Sequence, residues 1–137
     1  MYKKIVVPVD LTHPELLDKA IATAADLAKH YGASLTLIAV TSTIPGAVAH
    51  NPREFSEKLT QYATRKSNDH GLNINSTVAI ANDPAVDLDK TLDKAFHEAN
   101  ADLVVMASHV PGFRDYVFAS NAGFLASHSD LTVMVVR

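Results

Sequence analysis

Hydrophobic and polar positions alternate between two periods along the chain, and the switch repeats. Lys4 to Val9 is a continuous run rich in β-branched residues. It is too apolar for a strand with one wet face, which predicts a parallel strand covered on both faces. Leu16, Leu17, Ala20, Ile21, Ala24, Leu27 and Ala28 then recur three and four apart as the stripe of an amphipathic helix, and Gly32 can end it in the left-handed conformation. In front of that helix, Thr12-His13-Pro14-Glu15 reads as a capping box. The Thr12 hydroxyl would accept from the N–H of Glu15, the carboxylate would answer back, and Pro14 falls in the first turn, where no helical bond is lost.

The alternation continues to the end. Ser34 to Val40 predicts a second buried strand, and Thr41 to His50 a loop holding Pro45-Gly46. Asn51-Pro52-Arg53-Glu54 repeats the helix-start signal before an inner face of Phe55, Leu59, Tyr62 and Ala63, with Gly71 as the stop. Leu72 to Ala81 holds a third strand whose alternation at Ile74, Ser76, Val78 and Ile80 points to a sheet edge. Asp83-Pro84 predicts an N-cap with proline at the first helical position, followed by an inner stripe of Val86, Leu88, Leu92, Ala95 and Phe96. Asp102 to Met106 is strand four, Ser120 to about His128 a short helix, and Leu131 to Val136 strand five.

This βαβαβαβαβ order calls for an α/β three-layer sandwich: a five-stranded parallel sheet with right-handed crossovers and helices on both faces. With strand one central, strands two and three to one side and four and five to the other, the order is 3-2-1-4-5. The ligand crevice of such a sheet lies beyond the carboxyl ends of the strands where the winding reverses. Here that is between strands one and four, lined by Asp10 and by the stretch from Met106 to Asn121. That stretch is longer than a typical connection, and Phe113, Tyr116, Val117 and Phe118 make it too apolar for a free linker.

Composition narrows the class. With 137 residues and 47% hydrophobic positions, the chain suits one globular domain with a real core. Its net charge of −3, without a Lys/Arg cluster, argues against a nucleic-acid surface, and no stretch of about 20 apolar residues offers a membrane span. Zero cysteines exclude disulfides and thiolate metal sites and fit a reducing compartment, hence a cytoplasmic protein. The seven histidines show no metal-ligand spacing. The adjacent Ser108-His109 lacks the strand-nucleophile-helix elbow of a serine hydrolase, so no enzyme chemistry is assigned.

Four segments, Lys4-Ile5-Val6-Val7-Pro8-Val9-Asp10, Leu103-Val104-Val105-Met106-Ala107-Ser108-His109, Ser120-Asn121-Ala122 and Val133-Met134-Val135-Val136-Arg137, together resemble the universal stress protein family, in order and at its intervals. The Ser-His-x-Pro form followed by Tyr and Ser-Asn-Ala is similar to an ATP-binding branch. The resemblance implies a Rossmann-like fold of the adenine nucleotide α-hydrolase kind, a homodimer through the last strand, and in many members an adenine nucleotide, ATP or AMP; because Arg114 alone offers positive charge in the loop, a triphosphate there would lean on N–H groups and Mg²⁺. Carried over by position, it puts Asp10 on the adenine or ribose, Val40 in backbone contact with the base, and Met106 and Ala107 beside the ribose. His109 and Val110 then lie near the phosphates and Ser120 and Asn121 bind them. Pro8, Ser108 and Ala119 complete the set.

The family's loop is written Gly-x-x-Gly-(about nine)-Gly-Ser/Thr, and this chain departs from it at every glycine. Ala107, Val110 and Ala119 stand in those places, and the spacer is one residue short. A Cβ at such positions costs roughly 1 kcal/mol where φ must be positive, and it takes ligand space. The amides of Ser120, Asn121 and Ala122 would still present a helix N-terminus to an anion. Plain helix capping would equally account for Ser120 and Asn121, and Asp10 has the same alternative.

Two functions follow. One is a stress-response protein that binds an adenine nucleotide with little or no hydrolysis. The other is a dimeric interaction module acting through partner proteins such as a membrane transporter, its pocket closed by the lost glycines. Both place Val133 to Val136 at a sheet edge that soluble proteins normally cover, which a twofold copy of the strand would do.

Overall fold

The computed structural model describes residues 1–107 and 125–137. Along the chain run β1 (Lys4–Pro8), α1 (Asp18–Tyr31), β2 (Ser34–Thr41), α2 (Pro52–His70), β3 (Ile74–Ile80), α3 (Pro84–Glu98), β4 (Leu103–Ala107) and β5 (Thr132–Val136). The strands form one parallel sheet in the order β3-β2-β1-β4-β5, as the alternation of periods predicts. Residues 125–128, the described part of the short helix expected before β5, are helical.

Two successive crossovers in one direction put α1 and α2 on the same face, and the return from β3 to β4 puts α3 on the other. β1 and β4 lie in the middle, so Ile5, Val6, Val7, Leu103, Val104, Val105 and Met106 are buried on both faces. Ala20, Ala24, Ala25 and Ala28 are the buried side of α1. Their small side chains let the helix backbone lie close over β1 and β4, while Ile21 fills the space between. Phe55, Leu59, Tyr62 and Ala63 are the buried side of α2.

Helix ends follow local chemistry, with two corrections. Gly32 and Gly71 stop α1 and α2 at φ of 64° and 65°, their N–H groups returning to Ala28 and Ser67. Asn51 caps α2 by accepting from the N–H of Glu54 at 2.8 Å, and the Glu54 carboxylate reaches back to the N–H of His50 at 3.1 Å. That contact first, with Lys58 next to it, holds the Glu54 carboxyl below its ordinary value.

The capping box at Thr12 does not form. The Thr12 N–H donates to Oδ1 of Asp10 instead, a 3-10 turn occupies Pro14–Leu17, and α1 starts only at Asp18, with no side-chain cap. Val86 is the second departure: it is 76% exposed, while Leu88, Leu92, Ala95 and Phe96 are buried. Two residues before Leu88 is about 200° round the helix, on the far side from the stripe.

Candidate functional site

The crevice begins with a proline. Parallel strands turn alternate residues to alternate neighbours. In β1 the carbonyl of Lys3 and the N–H of Val9 bond to β2, through Ser34 and Ile38, whereas the carbonyl of Lys4 accepts from Asp102 at the start of β4. Even-numbered residues therefore face β4. The next rung beyond Val6↔Val104 needs an N–H from position 8, and Pro8 has none. The β1–β2 ladder runs on to Pro8↔Ile38 while the β1–β4 ladder stops at Val6. The two central strands are free to part at their carboxyl ends, where the winding reverses.

Asp10 lies just past that point, half-buried. Its Oδ1 accepts the Thr12 N–H at 2.9 Å and its carbonyl accepts from His13 at 3.2 Å, so the carboxylate shapes its own loop. Oδ2 has no hydrogen-bond partner among the described residues. Val40 is two residues beyond Ile38, the β2 partner of Pro8, and so at the level of Asp10. Met106 and Ala107 close β4 at the same end, 0% and 6% exposed, and form a floor between the strands. The structure thus brings Pro8, Asp10, Val40, Met106 and Ala107 to one end of three adjacent strands. Ser108, His109, Val110, Ala119, Ser120 and Asn121 lie outside the described residues. A carboxylate with one oxygen unpartnered among the described residues, at the same sheet end as an apolar floor, can accept from hydroxyls while a flat apolar group lies against the strands.

A model of the universal stress protein family matches residues 1–137. The chain belongs to the universal stress protein family. It is 27% identical, over 146 aligned residues covering 100% of both chains, to universal stress protein G of Salmonella typhimurium. Among solved structures it resembles a universal stress protein in complex with cAMP, with a TM-score of 0.71 at 18% identity over 99% of this chain and 97% of that one. It also resembles the universal stress protein of Archaeoglobus fulgidus in complex with dAMP, with a TM-score of 0.67 at 17% identity over 99% and 98%. At those identities the structural likeness speaks for the fold.

Sequence reading left three other features of this universal stress protein unseen. Arg65 and Lys58 flank Tyr62 on one face of α2, where only the inward role of Tyr62 was read. The Asp102 carboxylate accepts the N–H groups of Lys3 and Lys4. His97 binds Asp130 across the sheet's far end. The i, i+3, i+4, i+7 spacing of Lys58, Gln61, Tyr62 and Arg65 was the available signal for the first; the other two depend on long-range packing. Among the described residues no cluster of three metal-ligating side chains forms, and no helix is long and apolar enough to cross a membrane.

Proposed function

We propose that this universal stress protein takes an adenine nucleotide, AMP or ATP, in the crevice between β1 and β4, and signals occupancy rather than turning the nucleotide over. The observation that carries the reading is the end of the β1–β4 ladder before Pro8, with Asp10 just beyond it and its Oδ2 without a hydrogen-bond partner among the described residues. A ribose offers two hydroxyl donors to such an oxygen, and the base stacks against the Val40 and Met106 strand ends. The cAMP and dAMP carried by the two solved relatives support the same ligand class. Phosphates would rest on the amides of Ser120 and Asn121, with Mg²⁺ offsetting their charge, and hydrolysis is slow or absent. The working unit is a cytoplasmic homodimer joined through β5.

Calorimetry with AMP, and with ATP with and without Mg²⁺, tests this on the purified protein. Asp10→Asn keeps an oxygen for the Thr12 N–H but loses the charge; Asp10→Ala loses both. Both variants should weaken the nucleotide, and only the alanine should also lower stability, by about 1 kcal/mol. No heat at millimolar nucleotide, with an unchanged melting temperature, would overturn the reading.

A second reading rests on Ala107, Val110 and Ala119 at the family's glycine places. If their side chains fill the phosphate space, the dimer is an interaction module that works through partner proteins, such as a membrane transporter. The silent calorimetry just described is its signature.

A further inference from the structure

The face that carries α1 and α2 holds a second cleft, separate from the crevice. It is an open hollow of about 500 Å³ between the loop leaving β1, the loop leaving β2 and one side of α2. None of Asp10, Val40, Met106 or Ala107 lines it. Lys58, Gln61, Tyr62 and Arg65 fall on one helix face, and Lys58 and Arg65 stand two turns apart, roughly 10 Å along the axis. Leu11, Pro14 and Val48 supply the apolar wall opposite.

Charge differs on the two sides of Arg65. A smaller neighbour of about 220 Å³ shares Pro14, Tyr62 and Arg65 with it and adds Glu15, Asp18 and Asp69, of which Asp18 at 2.8 Å and Asp69 at 3.9 Å are taken up by Lys66. The larger hollow contains two cations and no acid, in a chain whose net charge is −3. Lys58 leans on Glu54 at 3.5 Å and on the carbonyl of Val48. Arg65 has no carboxylate partner among the described residues; its guanidinium lies 5.6 Å from the centre of the Tyr62 ring. An arginine held over an aromatic ring, with its planar fork unclaimed, is suited to bidentate recognition of a phosphate.

We propose that this cleft is a second ligand site, for a small aromatic phosphate monoester whose ring lies along Leu11 and Val48 and whose phosphate sits on Arg65 with Lys58 assisting. The volume falls in the range of small-molecule pockets, and the lining has their composition, an apolar wall with a few convergent polar groups. The site stands whether or not the crevice binds a nucleotide.

Titration of the ¹⁵N-labelled full chain with 1-naphthyl phosphate, followed by amide shifts, decides the matter. Val48, Lys58, Tyr62 and Arg65 should move together, uncharged 1-naphthol should move them far less, and inorganic phosphate should move Arg65 more weakly. Arg65→Gln, an exposed position whose change leaves the rest of the spectrum in place, should weaken the probe about tenfold or more, the worth of one charge-assisted hydrogen bond. Lys94→Gln, on α3 at the opposite face of the sheet, should leave it unchanged. Shifts centred on Asp10, Val40, Met106 and Ala107, an Arg65→Gln affinity equal to the wild type, or silence at millimolar probe would each overturn the proposal.

Discussion

Nε2 of His97 lies 2.8 Å from Oδ1 of Asp130, joining the last turn of α3 to the segment that enters β5. Its other ring nitrogen meets the carbonyl of Asp93 at 2.7 Å, with the Asp93 carboxylate at 3.5 Å. Both partners can only accept, so both nitrogens donate when the ring is charged. The Asp93 carbonyl first, and Asp130 next, raise the His97 pKa above its ordinary 6.5. Lys94 pairs with Glu98 on the same helix, at 3.8 Å, and leaves the imidazolium to the two aspartates. The unfolded chain binds this proton less tightly, so the pair's contribution is full below about pH 6.5 and is lost as pH rises through the raised value. Urea midpoints for the wild type and His97→Gln should differ most near pH 6 and converge as pH rises beyond the raised value. A gap that widens with pH would contradict the pairing.

Asp102 fastens the start of the central strand. Its two carboxylate oxygens accept the N–H groups of Lys3 and Lys4 at 2.8 and 3.0 Å, and its own N–H returns to the carbonyl of Lys4 at 3.0 Å. Asp102→Ala removes two charge-assisted bonds and should cost about 2 kcal/mol, with Asp102→Asn losing roughly half as much because one acceptor survives. Equilibrium urea denaturation should show a lower midpoint with an unchanged slope.

Asp89 runs the other way. Its Oδ1 is buried without a hydrogen-bond partner among the described residues, and that burial raises its pKa from the ordinary 3.8. The folded chain holds this proton more tightly than the unfolded one, so ionisation weighs against the native state as pH rises through the raised value. Asp89→Asn carries no charge and should melt higher than the wild type at pH 7. The advantage should shrink as pH falls through the carboxylate range, and an asparagine variant that melts lower at pH 7 would refute the assignment.

The strands were legible because their cause is local and strong: β-branched runs bounded by turn residues can hardly be anything else. The Asn51 cap was legible for the same reason, since both of its bonds close within four residues. The equally good signal at Thr12 failed because Asp10, two residues upstream, competes for the backbone there, and the path out of β1 favours the Asp10 turn. Asp10, Val40 and Met106 come to one sheet end because register follows from the order of strands. The part Pro8 plays was not legible, because it depends on which neighbour its missing N–H faces, a property of the paired sheet. Tyr62 was read as core, and it is 4% exposed, yet its ring also underlies Arg65 at the surface.

β5 closes the sheet on one side with β4 as its only strand neighbour among the described residues, and its outer row of N–H and C=O groups runs along an apolar segment. Met134 and Val135 point to opposite faces and are 37% and 39% exposed, so neither face is fully covered. If a second copy covers the edge as proposed, the twofold axis lays β5 antiparallel to its own copy, so a lysine at 135 on one strand lies within a few residues of the lysine on the other. Like charges opposed on paired strands destabilise the pair, whereas in a monomer the long stem at a position this open reaches water at little cost. Sedimentation at micromolar concentration should therefore find the wild type as a dimer and Val135→Lys as a folded monomer. A wild-type monomer would remove the edge pairing outright, and a dimeric lysine variant would move the interface elsewhere on the chain.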